Sequence, residues 1–407
     1  MVKILVLSDF YLPGYRGGGP IRSIANLIEG LGDEFQFKVI CFDRDLGDKR
    51  PFENIVRNDW QHVGKAQVRY ISPGQMKPWF IRKLLNATDY DLIYLNSYFS
   101  VSTIIIMLLS RLGLISDRPI VLAPRGQFSK GALELKWIKK QSYILMSKTI
   151  GLYKGVIWQA SSDWEEKDIR TIYGRAHTFV AANLNIKIAP DTPDRTPGLK
   201  KENITLIKES GAARAVFISR ISRKKNLDYA LKILAGQEGK IEFDIYGPIE
   251  DEEYWNECWQ LIDSLPENVR VSHLGELHPD EVRDTFSRYH VFLFPTRGEN
   301  FGHVILESLS AGCPVLTSDQ TPWRDLIVAK AGWDLPISSS DGFQEALDEL
   351  VSMDKKTFAE WYAGAHRLAE KYLSTENHKE ANRRLFNEAL KTDSSRGSVH
   401  LKDSVSS

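Results

Sequence analysis

The sequence predicts an α/β protein built from two doubly wound, parallel-sheet halves facing across a cleft. Three observations carry this reading. Short Val/Ile/Leu-rich runs alternate with helical patterns, the alternation stops once and restarts, and 407 residues suffice for two domains that each bury a core.

In the first half the predicted strands are Ile4–Ser8, Lys38–Phe42, Leu92–Leu95, Ile120–Ala123 and Gly155–Ala160. Their apolar runs are nearly continuous, as parallel strands covered on both faces require. In the second half the strands are Ala215–Ser219, Glu242–Tyr246, Val269–Leu274, Val291–Pro295 and Pro314–Ser318, with helices such as Leu227–Ala235 and Asp280–Tyr289 between them. Pro190, Pro193 and Pro197 lie in polar sequence between the two sets, and such composition suits a linker. The predicted organisation is a Rossmann-like domain over 1–185, a linker over 186–212 and a second Rossmann-like domain over 213–372. A helix over 373–392 then packs back on the first domain, and 393–407, rich in Ser, form a disordered tail.

Charge and cysteine usage narrow the function. Lys+Arg and Asp+Glu each number 53, which argues against a protein that works by blanket attraction to nucleic acid. Cys41, Cys258 and Cys313 are far apart and form no C-x-x-C pair, so neither a disulfide framework nor a structural zinc site is expected. A reducing cytoplasm fits. The apolar N-terminal run breaks at Asp9 without a small-residue cleavage site and reads as a strand, not a signal peptide. The sequons at Asn86 and Asn203 therefore carry little weight. Val101–Leu109, continuing to Ile115, is too short and too interrupted to span a bilayer and reads as a core helix.

Chemistry concentrates in Phe294-Pro-Thr-Arg-Gly-Glu299-Asn-Phe-Gly302-His303-Val-Ile-Leu-Glu307 and on to Gly312-Cys-Pro314. A buried strand ends at Phe294, a loop carries Glu299, and a helix opens near Gly302 and stops at Ala311-Gly312. The helix opening offers free backbone N–H groups and positive potential to a phosphate. A carboxylate beside a diphosphate would be repelled, so Glu299 and Glu307 are suited to hydroxyl groups. A sugar nucleotide has hydroxyls on both sides of its diphosphate.

Glu299 and Glu307 form an E-x7-E pair in a stretch that resembles the signature of retaining glycosyltransferases of family 4, which have the two-Rossmann-domain GT-B fold. The resemblance implies that Glu299 lies by the donor sugar, that Glu307 binds the ribose hydroxyls, and that the backbone between them meets the phosphates. Val216-Phe-Ile-Ser219-Arg220-Ile-Ser-Arg223-Lys224-Lys225-Asn226 is similar to the family's Arg…Lys element. Arg220 and Lys225 would there stabilise the charge that grows on a departing diphosphate, more in the transition state than in the ground state. Glu299, Arg220 and Lys225 are the expected catalytic residues. Ser219, Gly247, Asn300, Phe301, Gly302, His303 and Glu307 join Arg220 and Lys225 in the implied donor-binding set. His303 reads as a helix-start residue before an acid or base.

At the N-terminus the first strand runs into Gly17-Gly18-Gly19 before a helical pattern. Glycines here allow close backbone approach to a ligand, and the run resembles the loop with which the family covers the donor diphosphate. The spacing is not G-x-G-x-x-G, and Walker A is absent. Pro124-Arg125-Gly126 resembles a turn of related transferases; Arg125 stands where many have a histidine and is expected to bind on the acceptor side. Asp43-Arg-Asp45 and Asp89-Tyr-Asp91 read as turn structure and not as metal ligands. Residues 130–154 carry six lysines against Glu134 alone, interleaved with Trp137, Tyr143, Ile144, Leu145 and Met146. Such a helix suits an anionic bilayer surface or a solvated face above a core stripe. Thr321-Pro322-Trp323 and Gly332-Trp333 are similar to elements of bacterial transferases that build cell-surface polysaccharide, lipopolysaccharide included.

The expectation is a retaining glycosyltransferase that moves a sugar from a nucleoside diphosphate sugar to a hydroxyl of a glycan or lipid-linked glycan. No cofactor, metal or nucleic acid is expected, and the location is cytoplasmic, with peripheral contact at the plasma membrane. The alternatives are a nucleotide-sugar epimerase or hydrolase on the same fold, or a non-catalytic nucleotide-sugar-binding subunit.

Overall fold

The computed structural model describes residues 1–134, 136–184, 206–373 and 376–403. The chain forms two compact units, Met1–Ile188 with Thr375–Ser407, and Ala189–Ser374.

The first unit runs β1 (Val2–Leu7), α1 (Gly19–Leu31), β2 (Phe35–Phe42), β3 (Trp60–Val63), β4 (Ala66–Ile71), α2 (Pro78–Asn86), β5 (Leu92–Asn96), α3 (Val101–Arg111), β6 (Ile120–Ala123), α4 (Lys130–Glu134), α5 (Trp137–Thr149), β7 (Ile157–Ala160), α6 (Asp163–Tyr173) and β8 (His177–Val180). The second runs β9 (Ala212–Ile218), α7 (Leu227–Leu234), β10 (Lys240–Tyr246), α8 (Glu252–Asp263), β11 (Val269–His273), α9 (Val282–Phe286), β12 (Val291–Phe294), α10 (His303–Ser310), β13 (Val315–Ser318), β14 (Gly332–Leu335), α11 (Ser340–Ser352) and α12 (Lys355–Leu373); α13 (Glu376–Asp403) returns to the first unit.

The first sheet is ordered β3-β4-β2-β1-β5-β6-β7-β8 and the second β11-β10-β9-β12-β13-β14. Pairing is parallel throughout except at β3, which lies antiparallel on β4. Each sheet reverses its strand order once, between β1 and β5 and between β9 and β12. In doubly wound sheets ligands gather outside the carboxyl ends of the strands at that reversal. Ile4, Leu5 and Val6 of β1 and Phe292, Leu293 and Phe294 of β12 are fully buried, which explains their unbroken apolar runs.

Four strands are not legible in the sequence. β3 and β8 are edge strands of only four residues whose side chains are half-buried or exposed, and β4 alternates in the hairpin beside β3. Gly332 opens β14 at φ 146, where a Cβ would lie 2.0 Å from the Val315 carbonyl oxygen. The glycine permits the strand to approach β13, although glycine is a poor strand former.

Most of the 186–212 linker lies outside the described residues. Its last part is already built into the second unit: buried Lys208 donates to the carbonyls of Glu209, Val351 and Met353 at 2.8, 3.0 and 2.9 Å. The helix after residue 373 belongs to the first unit. Leu385, Phe386 and Ala389 are fully buried there, with Phe386 meeting Phe35, Phe37 and Tyr94 edge-on at 5.6, 6.2 and 5.5 Å. The Ser-rich tail differs from its expectation, since helix continues to Asp403; extending an existing helix adds a hydrogen bond per residue without a new nucleus. Residues 404–407 lie outside the described residues.

The basic segment is two helices and not one. Lys136 at φ 55 separates α4 from α5, and Leu135 lies outside the described residues. Tyr143, Ile144 and Ser147 turn inward: Tyr98 bonds Ser147 at 2.8 Å, and Tyr143 bonds Tyr153 at 2.7 Å. Trp137, Ile138, Leu145, Met146 and Ile150 are exposed.

Candidate active site

In the second unit the expected residues collect at the carboxyl ends of β9 and β12, the point where that sheet reverses. The loop after β9 carries Ser219, Arg220 and Lys225; the loop after β12 carries Glu299. Two segments are stitched together here. Arg297 N donates to the Lys224 carbonyl at 2.9 Å, Asn226 Nδ2 to the Pro295 carbonyl at 2.9 Å, and Arg297 Nε to Asn226 Oδ1 at 2.9 Å. Asn226 is buried at φ 63, a conformation that Asn tolerates better than most residues. Its side chain serves the neighbouring loop instead of capping α7.

This stitching brings Lys225 Nζ into an ion pair with Glu299 Oε1, both side chains being largely buried at 13% and 14% exposure. Burial by itself pushes the Glu299 carboxyl up, but Lys225, Lys224 and Arg220 together outweigh it and hold the group below its ordinary value. Glu299 is therefore a carboxylate in a strongly positive pocket. Arg220 Nη1 lies 3.1 and 3.0 Å from the two carboxylate oxygens of Glu250. Arg223 pairs through Nη1 and Nη2 with Glu257 at 2.9 and 2.6 Å, which anchors the basic loop to α8.

The Glu299 loop is braced from behind. Glu299 N donates to the Gln320 carbonyl at 3.0 Å, and Trp323 Nε1 to the Phe301 carbonyl at 2.7 Å. The Phe301 side chain is buried among Trp323 and Tyr372, with ring centroids 6.1 and 5.5 Å away. The Phe301 ring belongs to the core, which leaves its backbone as the part that a donor could meet, as the resemblance implies. Asn300 beside it is half-buried. Trp323 stands out in the sequence by similarity alone; the pairing that makes it a brace spans 22 residues and leaves no local pattern.

α10 opens at Gly302 (φ 76) with no side-chain cap. A Cβ there would lie 3.0 Å from Ile305 Cδ1 and 3.2 Å from Trp323 Nε1, so glycine answers both the left-handed backbone and the packing. His303 is half-buried, 4.5 Å from the Phe301 ring. Glu307 is half-buried one turn further along α10. Gly247, at the end of β10, has φ 140, and a Cβ would sit 1.9 Å from the Ser219 carbonyl oxygen. Its glycine is thus required by packing against the Arg220 loop, whatever it does with a ligand.

In the first unit the glycine loop follows β1. Buried Asp45 accepts from Tyr15 N at 2.7 Å and Arg16 N at 2.9 Å, and Gly18 at φ 73 is the N-cap of α1, which begins at Gly19. At Gly17 a Cβ would lie 2.9 Å from Ile21 Cδ1. Arg125, at φ 57, donates from Nε and Nη2 to Asn96 Oδ1 at 3.0 and 2.7 Å, from Nη2 to Tyr94 OH at 2.7 Å, and from Nη1 to Asn183 Oδ1. Its guanidinium pins the carboxyl ends of β5 and β6. Asp43 pairs with Arg44 at 2.8 Å, and Asp91 accepts from Lys3 N at 2.9 Å. Among the described residues no group of three or more His, Cys, Asp or Glu side chains is placed to hold a metal ion.

The family described as Glycosyl transferases group 1 matches residues 201–366. The chain is 33% identical over 109 residues to the phosphatidylinositol N-acetylglucosaminyltransferase gpi3 subunit of Schizosaccharomyces pombe, covering 25% of this chain and 23% of the relative. It is 26% identical over 213 residues to the poly(glycerol-phosphate) alpha-glucosyltransferase of Bacillus subtilis, covering 51% and 29%. The chain spans less than a third of the length of these two relatives. Among solved structures, Anabaena Alr3699/HepE in complex with UDP and glucose superposes with a TM-score of 0.65 at 19% identity, covering 96% of this chain and all of that one. The fold is GT-B, and the match to the glycosyl transferases group 1 family lies over residues 201–366, which hold the Arg220–Lys225 and Glu299–Glu307 elements.

Proposed function

We propose that the protein is a retaining glycosyltransferase that moves a sugar from a nucleoside diphosphate sugar to a hydroxyl of a glycan or lipid-linked glycan. The single observation that carries this reading is the Lys225–Glu299 pair at the sheet reversal, with Arg220 and the uncapped start of α10 on the same edge. A diphosphate leaving group gains negative charge as the glycosidic bond breaks; Arg220, Lys225 and the α10 amides are the groups that take it up. Glu299 contacts a sugar hydroxyl, Glu307 the ribose, and the departing diphosphate accepts the acceptor's proton on the face it leaves.

The relatives support the substrate class: one is described as acting on poly(glycerol-phosphate), another as a phosphatidylinositol N-acetylglucosaminyltransferase, and the HepE complexes hold UDP and glucose. Exposed Trp137, Ile138, Leu145 and Met146 on α5, among Lys136, Lys139 and Lys148, favour a peripheral hold on an anionic bilayer at the cytoplasmic face. No helix of the described residues is long and apolar enough to cross a membrane.

A thermal-shift panel of UDP, GDP, ADP and CDP tests the reading. A ligand at about 100 times its Kd adds about 2.7 kcal/mol to the native state, so one base should raise Tm above the others. No shift with any of them overturns the donor assignment and revives the non-catalytic subunit only if another ligand class binds. Release of free sugar or an epimer, with no transfer, would favour a hydrolase or epimerase.

A further inference from the structure

We propose that Glu250 is a positioning residue for Arg220, holding one nitrogen of its guanidinium so that the opposite edge faces the donor diphosphate. The proposal rests on the reading of Arg220 given above.

The contact is one-sided. Both Glu250 oxygens approach Nη1, at 3.1 and 3.0 Å, while Nε and Nη2 make no hydrogen bond to the described residues. That spare edge is the fork with which arginine grips two phosphate oxygens. Arg220 is also among the cations that depress Glu299, so its charge is felt in the Glu299 pocket.

Backbone hydrogen bonds set the two segments side by side, and the ion pair sets only the direction of the guanidinium. The side chains are 35% and 44% exposed, and a pair so exposed is worth only about 0–1 kcal/mol. Yet the two segments are bonded together on either side of it. Ser219 N donates to the Tyr246 carbonyl at 3.0 Å, Ile221 N to the Pro248 carbonyl at 2.9 Å, and Glu250 N to the Ile221 carbonyl at 3.1 Å. Ile221 and Ile249 form a parallel bridge. Gly247 lets the segments come this close, since any Cβ would strike the Ser219 carbonyl.

The neighbouring acids are committed elsewhere. Asp251 caps α8 by accepting from Tyr254 N at 3.0 Å, and Glu257 takes Arg223. Glu250 is thus the carboxylate assigned to Arg220. An unheld arginine side chain carries about 2 kcal/mol of rotamer entropy; prior placement removes part of that cost before the transition state is reached.

Arg220→Ala, Glu250→Ala, Glu250→Gln and the double variant Arg220→Ala/Glu250→Ala test this, by calorimetric binding of UDP, GDP and ADP and by turnover of their glucose conjugates. Glu250→Ala should lower kcat by about 10-fold to 100-fold, as misplacement of a catalytic group does, with KM little changed. Glu250→Gln should restore most of the loss, because its amide oxygen still accepts from Nη1. On the Arg220→Ala background the Glu250 change should have no further effect. Parental kcat in Glu250→Ala overturns the proposal. A rise in both affinity and kcat also overturns it, by making Glu250 a competitor of the diphosphate. An equal loss with and without Arg220 places its effect in the fold and rejects positioning. Arg220→Ala that binds and turns over like the parent removes the underlying diphosphate reading, an outcome distinct from failure at Glu250 alone.

Discussion

Lys225, from the loop after β9, and Glu299, from the loop after β12, form a nearly buried ion pair although 74 residues separate them. Each is expected at the donor for a separate reason; the structure makes them partners. The pairing keeps a carboxylate ionised beside the place where a diphosphate is proposed to bind, and keeps a cation there without a ligand.

The pair has a pH signature. The folded-state pKa of Glu299 lies below the ordinary 4.5, so its contribution to stability is complete above that value and is lost as pH falls through the depressed one. The stability gap between the parent and Glu299→Gln should be constant above about pH 5 and should shrink in acid, as read by urea unfolding at a series of pH values. A gap that widens in acid contradicts the ion pair.

Removing one partner should cost more than removing both. Glu299→Gln leaves Lys225 without its counter-charge in a site of 13% exposure, a change worth about 1–3 kcal/mol. Lys225→Met added to it should recover part of that loss. Strict additivity in a double-mutant cycle would show that the two do not interact.

Catalysis should separate the two glutamates. Glu307→Gln, if its carboxylate grips the ribose, weakens ground and transition states together; donor KM should rise and nucleotide binding fall. Glu299→Gln should leave calorimetric affinity for UDP or whichever diphosphate binds nearly intact while kcat drops about 10²-fold. The reverse pattern means the donor lies the other way round.

Gly247→Ala should fail to fold stably. A methyl 1.9 Å from the Ser219 carbonyl at φ 140 forces the Arg220 loop away from β10, and such strain costs at least about 3 kcal/mol. Soluble protein with a parental melting profile would show that the loop tolerates displacement.

The return of the C-terminal helix should matter for the first unit. Phe386 is fully buried against Phe35, Phe37 and Tyr94, so Phe386→Ala should lower stability by about 3–5 kcal/mol. Truncation ahead of Glu376 should expose that core and lose soluble protein. Separately, sedimentation with anionic vesicles at low salt and release as salt rises should follow from α5, since screening weakens surface attraction; equal recovery with neutral vesicles favours a solvated face.

Local chemistry made much of this protein readable in one dimension. Continuous apolar runs marked β1, β5, β6 and β12 because both faces of those strands are covered, and Gly302 and Gly312 marked the ends of α10 because few other residues accept their φ of 76 and 78 cheaply. The E-x7-E pair stood out through its resemblance to a family signature, which a single sequence can carry because a loop and the first turns of one helix hold both glutamates within nine residues. Edge strands β3 and β8 stayed hidden because half-exposed positions carry no strong pattern. What only the tertiary structure decided was partnership. Lys225 with Glu299, Arg220 with Glu250, Trp323 behind Phe301 and Arg125 inside the Tyr94–Asn96–Asn183 network all join segments at least 22 residues apart. A side chain's partner across such distances is set by strand order and loop stitching, and these follow from how the whole sheet closes, not from any short stretch of sequence.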